Sequence, residues 1–155
     1  MRFLFCVADA IGVAHQLLAI GRELAATGHE VAYVANNSLA SLFRELDVRH
    51  VPPPTRTESF LIREWAGTRS TVLQFAHVDA AIRELRPDAI VTSPFGYGPV
   101  FAAHVRGIPL VMAAGISFLW TAGSLATRQV RDNLEAGARM LGVALPSEPI
   151  ERLYF

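Results

Sequence analysis

The sequence predicts an α/β protein: a doubly wound, Rossmann-like open parallel sheet in a three-layer arrangement, forming a single domain over residues 1–155. Three observations predict it. Short apolar runs without polar alternation recur along the chain, as parallel strands covered on both faces do. Amphipathic segments of helical period separate them, and glycine or proline stands at most of the junctions. The first strand is Phe3 to Val7, and Asp9 to His15 follows as a loop. From Gln16 onward Leu17, Leu18, Ile20, Gly21, Leu24 and Ala25 recur at helical spacing, while Arg22, Glu23 and Thr27 take the wet side. Gly28 closes this helix, because a residue without Cβ enters the left-handed region freely, and Glu30 to Ala35 restarts at once as a strand. Two strands joined through a helix are parallel, with a right-handed crossover.

The alternation continues to the end of the chain. Ser38 to Leu46 reads as a short helix capped by Asn37 or Ser38, and Val48 to Val51 as a third strand that Pro52, Pro53 and Pro54 terminate. Arg56 to Thr71 mixes Phe60, Leu61, Ile62 and Trp65 with charge around Gly67, and reads as a loop with a helical portion. Thr71 to Leu85 is a helix, and Arg86-Pro87-Asp88 punctuates it ahead of a strand at Ala89 to Thr92. Pro94 to Tyr97 is a turn, Val100 to Arg106 a helix capped by Gly107, and Pro109 to Ala113 a fifth strand. Ser124 to Leu141 is the last helix, ending at Gly142.

Composition excludes several classes of function. The chain is 52% hydrophobic, enough for a sizeable core, yet no apolar run approaches the roughly 20 residues that a membrane helix needs. The expectation is a soluble protein with no membrane span and a cytoplasmic location, since an early strand stands where a secretory leader would be. The 14 basic residues balance 14 acidic ones, so net charge gives no reason to expect nucleic acid as a partner. Every basic residue is Arg. That excludes a lysine nucleophile, a Schiff base and a phosphate-loop lysine. Cys6 is the only cysteine, which excludes an internal disulfide and a cysteine-based zinc site, and its mid-strand position reads as an inert core thiol. The bias toward Ala, Arg and Gly reads as GC-rich bacterial coding.

In an open parallel sheet, ligands bind outside the carboxyl ends of the strands, where the strand order reverses. That rule nominates Asp9 to His15, Asn36 and Asn37, Ser93 to Gly98 and Gly115 to Gly123 as one convergent rim. The first loop is no dinucleotide fingerprint, because only Gly12 stands where three glycines are needed. Asp9 and His15 are its titratable groups, with the plain roles of satisfying loop amides and starting a helix open to them. His29 sits beside a helix stop, and His50, His77 and His104 have no ligand-like spacing, so no metal is assigned. Ser93 lacks a G-x-S-x-G context. Phe60, Trp65, Phe95, Tyr97, Phe118 and Trp120 fall in or beside the rim and would line a concave apolar site, whereas Phe75 and Phe101 have core-like spacing.

The runs LLAIGRELAATGHEV and RPDAIVTSPFGYGPVFAAHVRGIPLV resemble the amino-terminal half of GT-B glycosyltransferases, specifically the bacterial natural-product and UDP-glycosyltransferase-like group. The resemblance covers most of the chain. It implies that this domain holds a small-molecule acceptor, that a carboxyl-terminal domain binds the nucleotide-sugar donor, and that no metal is needed. With such an acceptor on the rim, the residues expected at it are Gly12, Val13, Phe60, Trp65, Ser93, Phe95, Tyr97, Phe118 and Trp120.

The chain departs from that family in two respects. It ends at Phe155, near where a linker to the donor domain would begin, so the donor domain is expected in cis or as a separate subunit. In the family a His or Asp follows the glycine of the first loop as base, and an Asp after the fourth strand orients it. Ungapped alignment on LLAIGREL puts Val13 and Ser93 at those places, which leaves His15 or Asp9 to act. A chain lacking its partner domain is also expected to expose apolar surface, to be covered by homodimerisation or by a donor subunit. The readings that remain open are a glycosyltransferase half, a non-catalytic binding or accessory subunit, and a flavodoxin-like or Rossmann cofactor-binding domain.

Overall fold

The structure, a computed structural model, describes residues 1–53, 66–113 and 125–145. It contains β1 (Arg2–Cys6), α1 (Ile11–Ala26), β2 (Glu30–Val34), a 3-10 turn (Asn37–Leu39), α2 (Ala40–Glu45), β3 (Arg49–Val51), α3 (Thr68–Leu85), β4 (Ala89–Thr92), α4 (Tyr97–Arg106), β5 (Leu110–Met112) and α5 (Leu125–Leu141). The five strands form one all-parallel sheet in the order β3-β2-β1-β4-β5. Strand order therefore reverses between β1 and β4, whose register pairs Cys6 with Thr92 at the carboxyl edge.

Period-2 alternation sorts the strand side chains onto two buried faces. Leu4, Cys6, Ala32, Val34 and Ile90 pack against Val78, Ala81 and Ile82 of α3 and Ala102 and Ala103 of α4. Phe5, Tyr33 and Val91 pack on the other face against Ala14, Leu17 and Leu18 of α1 and Phe43 of α2. The last helix, α5, lies on α3 and α4, where Val130, Leu134 and Ala138 enclose Tyr97 and Phe101. Gly137 allows that approach, since a Cβ there would stand 3.0 Å from the Phe101 ring.

The punctuation works as the sequence suggests. Gly28 adopts φ +84 after α1, and the His29 amide donates back to the Leu24 carbonyl. Gly107 does the same after α4 at φ +63. Three helix starts differ from expectation by three residues or more, and α3 begins at Thr68 rather than Thr71. α1 begins at Ile11 rather than Gln16, because the β1 connection needs only Val7 to Ala10 and Ala14 extends the buried stripe of Leu17, Leu18 and Gly21 one turn earlier. α4 begins at Tyr97 rather than Val100. Pro99 falls in its first turn, where a missing N–H costs nothing, and Gln74 of α3 accepts the Gly98 N–H at 3.3 Å. The helix expected over Ser38 to Leu46 is divided into the 3-10 turn and α2, and β2, β3 and β5 are each trimmed to shorter strands.

Candidate functional site at the carboxyl rim

Asp9 stands in the connection between β1 and α1, directly beyond the β1/β4 switch point. The Ser38 hydroxyl donates to its Oδ2 at 2.6 Å. Ser38 belongs to the 3-10 turn that follows β2, so this bond ties the β1 and β2 connections together and fixes the carboxylate while the rest of it remains able to accept. The next residues open outward: Ile11 is 66% exposed, and among the described residues none from beyond its neighbours and own helix lies within 4 Å of the place a Gly12 Cβ would occupy. An oriented carboxylate beside an apolar side chain and open space can take a proton from a hydroxyl carried on an apolar molecule.

His15 is placed differently from the sequence expectation. As the fifth residue of α1 it lies roughly 6 Å along the helix from Ile11, on the exposed side, and among the described residues it makes no hydrogen bond. His15 and Asp9 share no hydrogen bond or ion pair among the described residues. Val13 is half-buried and packs into the core on the α1 side. Ser93 is buried directly after β4, and among the described residues its hydroxyl has no hydrogen-bond partner. Phe95 is half-buried in the β4 to α4 connection at φ +66, a left-handed conformation uncommon for a side chain of its size, and it packs against both the α3/α4 core and the α5 cluster. Tyr97 is core rather than rim: it is 1% exposed beneath α5, and burial pushes its phenol up to about 12 against a hydrogen bond to Asn133 that acts the other way. Phe60, Trp65, Phe118 and Trp120 lie outside the described residues, as does the segment Gly115 to Gly123.

The other titratable groups have structural surroundings. Burial raises the Cys6 thiol well above its ordinary value, consistent with an inert core residue. His29 packs on Phe3, His50 bonds the Ala35 carbonyl at 2.9 Å, and partial burial holds His77 below the usual imidazole range. Among the described residues no three His, Cys, Asp or Glu side chains converge as metal ligands, and no described helix is long and apolar enough to cross a membrane.

Solved structures share this architecture. The chain superposes on the glycosyltransferase SsfS6 of Streptomyces sp. SF2575 with a TM-score of 0.71 at 17% identity, covering 97% of this chain and 49% of that one. It matches the glycosyltransferase SnogD of Streptomyces nogalater at 0.70 and 20% identity, over 93% of this chain and 40% of SnogD. It matches the spinosyn rhamnosyltransferase SpnG, solved with spinosyn aglycone, at 0.73 and 16% identity, over 95% of this chain and 43% of SpnG. The fold is that of one half of a GT-B glycosyltransferase. No protein-family model matches the sequence, and no curated protein sequence matches it significantly. This GT-B-like domain spans about half or less of the length of the solved proteins it superposes on.

Two features of the GT-B-like domain escape sequence reasoning. The Asp9–Ser38 bond joins residues 29 apart, and only the lateral pairing of β1 with β2 brings them together. Ile11 is hidden by the loop assignment, although an apolar residue directly after a rim loop is a readable signal. A groove of about 230 Å³ also exists at the opposite, amino edge of the sheet, among Arg2, Phe3, Glu30, Arg49, Leu85 and Pro87. Its arginines are engaged, Arg2 with the Leu85 carbonyl and Asp88 and Arg49 with Glu84, so the carboxyl rim remains the better candidate for chemistry.

Proposed function

We propose that this domain is the acceptor-binding half of a glycosyltransferase that moves a sugar from a nucleotide-sugar donor to a small, apolar natural-product acceptor. The donor would be held by a carboxyl-terminal domain, in cis or as a separate subunit, and no cofactor would be bound by this half. The observation that carries the reading is the Asp9 carboxylate, oriented by Ser38 and set beside exposed Ile11 and open space at Gly12, at the switch point of a GT-B-like sheet. In this reading Asp9 accepts the proton of the acceptor hydroxyl as its oxygen attacks the anomeric carbon, and the nucleoside diphosphate leaves with the electron pair of the broken bond. The acceptor's apolar body lies toward Ile11. His15, on the outer side of α1, takes no part.

A second reading, a binding or accessory subunit without catalysis, draws on Val13 packed into the core and on Ser93 buried with no partner among the described residues, which leaves Asp9 without a titratable neighbour at those two places. The two readings separate in one experiment. With the donor half of a related glycosyltransferase supplied, together with nucleotide sugar and a panel of hydroxylated apolar acceptors that includes spinosyn aglycone, Asp9→Asn is expected to lower turnover by about 10²-fold or more while acceptor affinity is retained. His15→Ala is expected to change turnover less than about twofold. Acceptor binding with no turnover under any donor would favour the accessory reading. Turnover abolished by His15→Ala and unaffected by Asp9→Asn would overturn the assignment of the base.

A further inference from the structure

One imidazole touches the chain on both sides of Ser38. His50 is the middle residue of β3, half-buried, and stands beside Tyr33 of β2 in the parallel register. Its Nε2 lies 2.9 Å from the carbonyl of Ala35, the residue that follows β2 and precedes the 3-10 turn carrying Ser38. Its ring centroid lies 4.7 Å from that of Phe43, in the helix α2 that follows the turn. The excursion from Ala35 to Phe43, with Ser38 at the rim between them, is therefore held at both ends by a single side chain.

Each contact has a defined chemistry. A carbonyl only accepts, so the His50 Nε2 carries a proton and donates, which selects the Nε2–H tautomer of the neutral ring. Phe43 is fully buried and stacks on Tyr33 at 5.4 Å, and Tyr33 meets Phe5 of β1 at 5.2 Å. His50 thus ends a row of rings that runs from β1 to β3. Phe43 keeps its contact with Tyr33 when the imidazole is replaced, so the bond to Ala35 is the anchor that a substitution at His50 removes. Between the anchors the turn is closed by the Leu39 N–H, which donates to the Asn36 carbonyl at 3.1 Å, and Leu39 is buried. Ser38 then meets Asp9 Oδ2 at 2.6 Å, at the short end for a hydroxyl on a carboxylate. Such a bond weakens steeply as its donor is turned or withdrawn, so the placing of the turn decides how firmly the carboxylate is held.

We propose that His50 is a positioning residue for Asp9: by holding Ala35 and Phe43 it sets the Ser38 hydroxyl against the carboxylate. It touches no acceptor and moves no proton. The inference rests on Asp9 as the base of the proposed reaction, and it adds that this base is aligned from β3, beyond β2 in the sheet order.

Nuclear magnetic resonance of the full 155-residue chain tests this. Neither acceptor nor donor half is added, so failure here is separable from failure of the base assignment, which the turnover of Asp9→Asn reports. With the ring neutral, long-range proton–nitrogen correlation is expected to show His50 as the Nε2–H tautomer, and the Hα–Hβ couplings of Ser38 are expected to report one rotamer. His50→Phe keeps a ring against Phe43 and removes the donor. It is expected to average the Ser38 couplings and to move the Asp9 carboxyl carbon resonance in the direction that Ser38→Ala moves it. His50→Gln, which returns an N–H at about the reach of Nε2, is expected to restore both signals. An Nδ1–H tautomer in the unsubstituted chain overturns the proposal, whether or not any variant folds. Ser38 couplings and an Asp9 resonance left unchanged in folded His50→Phe overturn it equally, because His50 would then support the fold without aligning the carboxylate.

Discussion

Among the described residues the buried Tyr33 hydroxyl has no hydrogen-bond partner, and it occupies the space that Gly21 of α1 leaves by having no side chain. Burial alone pushes this phenol up to about 12. An unsatisfied buried hydroxyl costs more than the absence of one, so Tyr33→Phe is expected to stabilise the fold by roughly 1 kcal/mol in urea unfolding. Gly21→Ala drives a Cβ into that hydroxyl and is expected to cost roughly 1–3 kcal/mol, part of which Tyr33→Phe recovers in the double variant. Additive losses would mean that the two residues do not share the space. Legibility at this scale is uneven. Asp9 is readable as a titratable residue in a rim loop, and Cys6 as a core thiol, from type and position alone. What orients Asp9 is unreadable, because Ser38 arrives from a different strand connection.

The strands were readable as apolar runs bounded by glycine and proline, and β4 matches its expected bounds of Ala89 to Thr92. The amino-terminal ends of α1 and α4 were not. Both start without a side-chain cap, Ala10 and Gly96 standing at the cap positions, so the usual Ser, Thr, Asp or Asn signal is missing. At α4 a residue on another helix, Gln74, meets the Gly98 N–H instead, and no local pattern encodes that. Gly98 has a second duty: a Cβ there would lie 2.6 Å from the Phe75 backbone nitrogen, so its absence sets the distance between α3 and α4. Backbone yields less easily than the end of a side chain. Gly98→Ala is therefore expected to destabilise by roughly 2 kcal/mol or more, read as a lower urea midpoint with unchanged slope. A neutral outcome would show that the two helices can separate freely. Across this contact Asp79 of α3 also accepts from Arg106 of α4 at 2.6 Å, a second tie between the same elements.

For the molecule as a whole, parallel strands and right-handed crossovers are legible because connectivity and chirality leave few alternatives, and the carboxyl rim follows from them. The docking of α5 on α3 and α4 was not legible, since its apolar stripe of Val130, Leu134 and Ala138 would fit a sheet face equally well. The edge at β5 shows the same limit. Its apolar run reads as a strand covered on both sides, and only the sheet order reveals that it stands last among the described strands. The assembled picture is one α/β layer structure with an oriented carboxylate at its switch point, where the proposed function sets a hydroxyl-bearing apolar guest. Amide chemical-shift perturbation on the 155-residue chain, titrated with spinosyn aglycone and other hydroxylated apolar compounds, tests that picture most directly. Saturable shifts are expected to centre on Asp9 to Val13 and on Ser93 to Phe95, and to persist in Asp9→Asn. Saturable shifts centred on the amino-edge groove around Arg2 and Arg49, or no saturable shift with any compound, would contradict it.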